Sequence, residues 1–205
     1  NSLLMIEGDR HKQRRKLLLP PFHGERMQAY GELICNLTRQ IIDQLEPNQA
    51  FAARHVTQEI SLQIILGAVY GLQDSDRSSE FKQRITRLAN IFESPLTSSF
   101  LFFPWLQKDL GAWSPWGNLM RQQKAIDEAI YQEIATRRTE DCSQRQDILS
   151  LMMSARDESG EAMKDYELRD ELMTLMLAGH ETTATAIAWG LYWLYRYPEI
   201  KAKLQ

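Results

Sequence analysis

From Leu172 to Tyr195 the chain is apolar except at one place. Tyrosines apart, the only ionisable groups in that stretch are His180 and Glu181, set within Ala178-Gly179-His180-Glu181-Thr182-Thr183. A run of this length and character folds as a buried helix or spans a membrane. A central charge such as Glu181 costs a membrane span about 2.5–3.5 kcal/mol, so the buried helix of a globular protein is the better account. Inside such a helix an acid, an imidazole and two hydroxyls must be paired or used. A helical glycine costs about 1 kcal/mol relative to alanine and calls for a reason, such as close approach of another group. A flat ligand lying on the turn would supply one.

The rest of the chain is consistent with a globular core. Its 205 residues are 43% hydrophobic and 25% charged, enough for one sizeable core or two small ones. A net charge of -3 gives no global pull toward nucleic acid or an anionic membrane. Two cysteines, Cys35 and Cys142, are too few and too far apart for a disulfide framework or a zinc site, and they point to a reducing, cytoplasmic setting. The chain opens on Asn1 and stops at Leu204-Gln205 within a helical pattern, so it is expected to be part of a longer domain, incomplete at both ends.

The apolar spacing is helical almost throughout, and the fold class is mainly α. A basic helix is expected over 8–19, stopped by Pro20-Pro21. Further helices are expected over 24–45, over 54–70 with Gly71 as its stop, and over 79–91. An aromatic connection follows over 95–117, broken by Pro104 and Pro115 and holding Phe100, Phe102, Phe103, Trp105, Trp113 and Trp116. Helices resume over 118–138 and 147–154. The long helix is expected from Asp165, as its N-cap, through Tyr195, and Pro198 opens a last one.

Ala178-Gly179-His180-Glu181-Thr182-Thr183 resembles the oxygen-activating turn of the central helix of cytochrome P450 monooxygenases, written [AG]-G-x-[DE]-T-[TS]. Arg169-Asp170-Glu171-Leu172 before it and Tyr197-Pro198-Glu199 after it also resemble that family's phrasing. At the other end, Gly8-Asp9-Arg10-His11 through Arg15 to Pro20-Pro21-Phe22 is similar to the family helix whose His/Trp-x-x-x-Arg pair holds the haem propionates. His11 and Arg15 are one helical turn apart, where an imidazole and a guanidinium can reach two adjacent carboxylates. The resemblance covers essentially the whole chain and implies the N-terminal and central helical portion of the P450 fold.

It also implies the chemistry. Ala178 and Gly179 would leave room for dioxygen and substrate beside a haem b, the Thr182 hydroxyl would hydrogen-bond the activated oxygen, and Glu181 would relay protons. The complete protein would hydroxylate an apolar small molecule, possible classes being fatty acids, alkanes and terpenoids. Its electrons would come from NAD(P)H through a ferredoxin-type, flavodoxin-type or reductase donor, with Lys12 and Lys16 as candidates for docking that donor. Phe100, Phe102, Phe103 and Trp105 would line an apolar channel.

Neither the family's Glu-x-x-Arg pair nor its cysteine loop follows the oxygen turn in this sequence, and neither Cys35 nor Cys142 has that loop's context. The axial thiolate that pushes electron density toward O–O cleavage must then lie outside the chain, and the chain alone is expected to be inactive. No metal ligand is assigned within it.

Other readings compete. His180-Glu181 suggests a zinc helix of the H-E-x-x-H type, but Ala184 stands where the second histidine is needed. Thr182 and Thr183 could simply bond back to carbonyls one turn earlier. The basic run over 10–16 could be a solvated face or a nucleic-acid patch. A non-catalytic helical ligand-binding or regulatory module is the alternative from another class.

Overall fold

A computed structural model describes residues 2–72, 76–93, 103, 107–111, 113–142 and 144–204. Eight α-helices lie among the described residues: α1 Gly8–Leu18, α2 Glu25–Ile42, α3 Ala53–Ala68, α4 Asp76–Glu93, α5 Pro115–Thr139, α6 Ile148–Ser154, α7 Asp165–Arg196 and α8 Pro198–Leu204. The only β pairing among the described residues is an isolated bridge between Arg156 and Ala162. The chain divides into two compact units, one of residues 1–73 and 144–205 and one of residues 74–143.

The first unit is organised on α3 and α7, which pack along one another. Ile60, Leu62, Ile65 and Leu66 of α3 and Leu168, Leu172, Met176 and Ala184 of α7 are buried. At roughly 25 cal/mol per Å² of apolar surface, each large side chain so buried contributes about 1.5–3 kcal/mol. The Tyr70 hydroxyl donates to the Leu172 carbonyl at 3.3 Å, and burial pushes that phenol's pKa well above its usual value. Gly71 ends the α3 segment with a φ of 64°, where the Leu72 N–H reaches back to the Leu66 carbonyl at 2.8 Å. A side chain there would also collide with the Asp147 carboxylate, so both conformation and space require glycine. Asp147 caps α6 by accepting the Ser150 N–H at 2.9 Å, and the Leu149 N–H bonds the Val69 carbonyl at 2.9 Å.

The second unit pairs α4 with α5. Phe81, Ile85 and Leu88 are buried on α4, as are Leu119, Ile126, Ile130 and Ile134 on α5. Arg137 donates to Glu133 at 2.7 Å with both side chains buried, and Arg77 adds a second contact to Glu133 at 3.2 Å.

Several boundaries differ from the sequence expectation. Pro115 opens α5 instead of breaking it, because Ser114 caps the helix by accepting the Gly117 N–H at 3.1 Å and proline suits the first turn. The N-cap of α7 is Lys164, not Asp165. Glu167 accepts the Lys164 N–H at 2.9 Å, which leaves Asp165 as the first helical residue beside the helix dipole. Of the expected apolar channel, Phe100, Phe102 and Trp105 lie outside the described residues, while Phe103 is exposed, as is Trp113 further along the same connection. No helix among the described residues is long and apolar enough to cross a membrane. Cys35 and Cys142 are free thiols.

Candidate functional site

The α7 helix is buried on one side only. Leu172, Met176, His180 and Ala184 point toward α3, whereas Ala178, Thr182, Thr185 and Trp189 are exposed at steps of four, three and four residues. Helical periodicity places these last four on a single stripe. Ala178 and Thr182 therefore stand together on an open, largely apolar face, low enough for a flat group to lie against.

The turn from 178 to 182 divides its side chains between that face and α3. The Thr182 hydroxyl donates to the Ala178 carbonyl, the back-bonded geometry common for threonine in helices. The hydroxyl oxygen keeps acceptor capacity toward the open face. Gly179 meets α3: a side chain there would begin 3.3 Å from Ile65 Cδ1. The close approach that this glycine permits is thus that of a neighbouring helix, on a different side from Ala178 and Thr182. The Ser61 hydroxyl shares its single proton between the Gly179 carbonyl at 3.2 Å and the His180 carbonyl at 3.0 Å.

Glu181 lies on the flank between the two sides and is half-buried. Gln58 Nε2 donates to its Oε1 at 2.7 Å and Arg54 Nη2 to its Oε2 at 3.2 Å. His180 is buried. Its Nε2 is 3.9 Å from Glu181 Oε1, too long for a direct hydrogen bond, and its Nδ1 has no partner among the described residues. Desolvation lowers the imidazole pKa, opposed by the negative charges of Glu181 and Glu59. At neutral pH His180 is uncharged.

On α1 the basic residues separate into committed and uncommitted groups. Lys12 pairs with Asp9 at 3.1 Å, Lys16 with Glu158 at 2.8 Å, and Arg14 with Glu167. The Arg14 pair ties α1 to the first turns of α7. His11 and Arg15 form no side-chain hydrogen bond or ion pair with other described residues. An uncommitted imidazole and guanidinium one turn apart suit two carboxylates, and the open Ala178–Thr182 face suits a flat apolar ring. The residues present therefore fit the haem that the motifs imply. Among the described residues no group of three His, Cys, Asp or Glu side chains could hold a metal ion on its own.

Arg54, Gln58 and Ser61 were not singled out in the sequence. The only signal for them is their shared helical face on α3, and nothing in the sequence says which turn of α7 that face meets.

The cytochrome P450 family model matches residues 1–205. A protein of Mycobacterium tuberculosis strain H37Rv named "Putative cytochrome P450 135A1" is 34% identical over 205 residues, which are 100% of this chain and 44% of that protein. The chain thus spans less than half the length of this curated relative. Among solved structures, retinoic acid bound cyanobacterial CYP120A1 superposes with a TM-score of 0.81 at 19% identity, covering 99% of this chain and 43% of that one. The cytochrome P450DA haem domain gives 0.77 at 23% identity, covering 95% and 42%. At these identities the two structures speak for the fold. Taken with the match over every residue of the chain, they leave one conclusion, that the chain belongs to the cytochrome P450 family.

Proposed function

We propose that this chain forms the oxygen-side and propionate-side portion of a haem-thiolate monooxygenase. The balanced reaction is RH + O2 + 2 e⁻ + 2 H⁺ → ROH + H2O, with RH an apolar small molecule and the electrons drawn from NAD(P)H through a redox partner. The observation that carries this reading is the division of the 178–182 turn, with Ala178 and Thr182 on an open apolar face and Glu181 on its flank among polar groups of α3.

A haem held by this chain would supply the iron chemistry that activates dioxygen, with a cysteine thiolate expected from outside these 205 residues. The remaining work falls to the chain's own side chains. His11 and Arg15 would hold the propionates and so set the ring's orientation. Ala178 keeps the helix surface low where the ring and substrate meet it. Thr182 is a hydroxyl that can donate or accept at that surface, and by rotating away from the Ala178 carbonyl it can turn its proton outward. Glu181 would exchange protons between the polar flank and Thr182, the positioned acid-base role that typically contributes about 10²–10⁴-fold. A retinoid-bound structure among the fold neighbours supports an apolar substrate class.

The test is Thr182→Ala in the complete protein. Substrate affinity should stay near wild type, while NAD(P)H oxidation releases hydrogen peroxide in place of product. A wild-type ratio of product to NAD(P)H would remove Thr182 from the mechanism.

A further inference from the structure

Positions 54, 58, 61 and 65 of α3 follow one another at steps of four, three and four residues, so they share one helical face. That face meets the 179–181 turn of α7 residue by residue: Ile65 against Gly179, Ser61 on the carbonyls of Gly179 and His180, and Gln58 and Arg54 on Glu181. The two carboxylate oxygens of Glu181 are held by different donors, Oε1 by the Gln58 amide at 2.7 Å and Oε2 by the Arg54 guanidinium at 3.2 Å. Two donors on two oxygens fix both the reach of the side chain and the plane of the carboxylate.

The donors are not equivalent. A guanidinium has no acceptor, so Arg54 can serve only an oxygen without a proton. A primary amide has both faces: its NH2 donates to a carboxylate, and turned over, its oxygen accepts from a carboxylic acid. Gln58 can therefore partner Glu181 in either protonation state by rotating its amide, while Arg54 returns Glu181 to the ionised one.

We propose that Arg54 and Gln58 are positioning residues for proton delivery, Arg54 fixing the Glu181 carboxylate on the flank of the Thr182 face and Gln58 following it through uptake and release of a proton. The proposal rests on the relay role of Glu181 described above. It involves no net chemistry at α3: the proton passes through Glu181, and the amide only exchanges its donor for its acceptor.

The experiment uses the complete protein in wild-type, Arg54→Met, Gln58→Met, Arg54→Met/Gln58→Met and Glu181→Gln forms, and the double α3 variant combined with Glu181→Gln. Thermal melting and substrate dissociation constants serve as fold controls, and Arg54→Lys is the conservative rescue. The first readout is independent of turnover. The Glu181 carboxylate stretching bands, isolated as the infrared difference between a background and the same background carrying Glu181→Gln, should shift between the wild type and the double α3 variant; bands that stay in place overturn the proposal.

The second readout is product formed per NAD(P)H. It should fall at least about threefold in the double α3 variant and not fall further when Glu181→Gln is added, because groups acting through one residue are non-additive. Wild-type coupling in the double α3 variant, with Glu181→Gln uncoupled, overturns the positioning role and leaves the relay standing. A loss that persists undiminished in the Glu181→Gln background overturns it as well. Wild-type coupling in Glu181→Gln itself removes the relay, and the positioning role falls with it.

Discussion

Replacing Gly179 by alanine separates two reasons for a glycine in this turn, room for a ligand and room for α3. A Cβ at 179 would lie 3.3 Å from Ile65 Cδ1 and 3.7 Å from Cγ1. Carbon atoms rest at about 3.5–4.0 Å, so only the terminal methyl is too close, by a few tenths of an ångström. Ile65 is buried and cannot swing into solvent. Overpacking of this kind costs about 1–3 kcal/mol, and a single methyl at the end of a side chain belongs near 1. Alanine in place of a helical glycine returns about 1 kcal/mol. Gly179→Ala alone should therefore change stability by about 0–1 kcal/mol in the unfavourable direction.

Ile65→Val removes Cδ1 and leaves the ordinary contact at 3.7 Å. By itself it costs about 0.5–1.5 kcal/mol. In that background Gly179→Ala should stabilise by about 1 kcal/mol, a coupling of roughly 1–2 kcal/mol between the two sites. Equilibrium denaturation of the wild type, both single variants and the double variant measures it directly. If Gly179→Ala has the same effect in both backgrounds to within about 0.3–0.5 kcal/mol, α3 is not what demands glycine, and the ligand face becomes the reason.

Three other outcomes follow from the same structure. The native state holds His180 neutral through desolvation, so its folded pKa lies below the unfolded value of about 6.5; the unfolded chain then takes up the proton first, stability falls as pH drops through about 6.5, and His180→Met should remove that part of the slope in urea midpoints measured across pH. Arg137→Met leaves the buried Glu133 to the half-exposed Arg77 and should cost about 3 kcal/mol, whereas Glu133→Leu/Arg137→Met together should recover most of it, and equal costs for the single and double variants would deny the pair. Lys12→Glu and Lys16→Glu should slow electron delivery and flatten its salt dependence if the basic side of α1 docks an acidic donor; unchanged reduction rates at low salt would assign those lysines to surface charge alone.

Much of the candidate site could be read from local chemistry. Each helix, with small shifts at its ends, is where apolar periodicity and the punctuation of Pro20, Gly71 and Pro198 put it. The misplaced boundaries share a cause: at Ser114-Pro115 and Lys164-Asp165 a cap depends on which backbone N–H groups a side chain reaches, and composition near the end of a helix leaves that open by a residue or more. Ala178, Thr182 and Glu181 stand out as candidates from residue types in a fixed order. Arg54, Gln58 and Ser61 do not, because a polar stripe on one helix carries no address on another.

The sequence alone determined that the chain is helical, that a long, largely apolar helix carries an acid and hydroxyls at one turn, and that a basic helix offers an imidazole and a guanidinium one turn apart. These are properties of neighbours along the chain, set by a 3.6-residue period and by side-chain chemistry. Only the tertiary structure decided that Gly179 faces Ile65 and not the open side, that Glu181 is gripped by two donors more than a hundred residues away, and that Arg14 is spent on Glu167 while Arg15 is not. Those depend on the rotation and register with which α3 and α1 dock on α7, which the packing of the buried core fixes and no local pattern encodes.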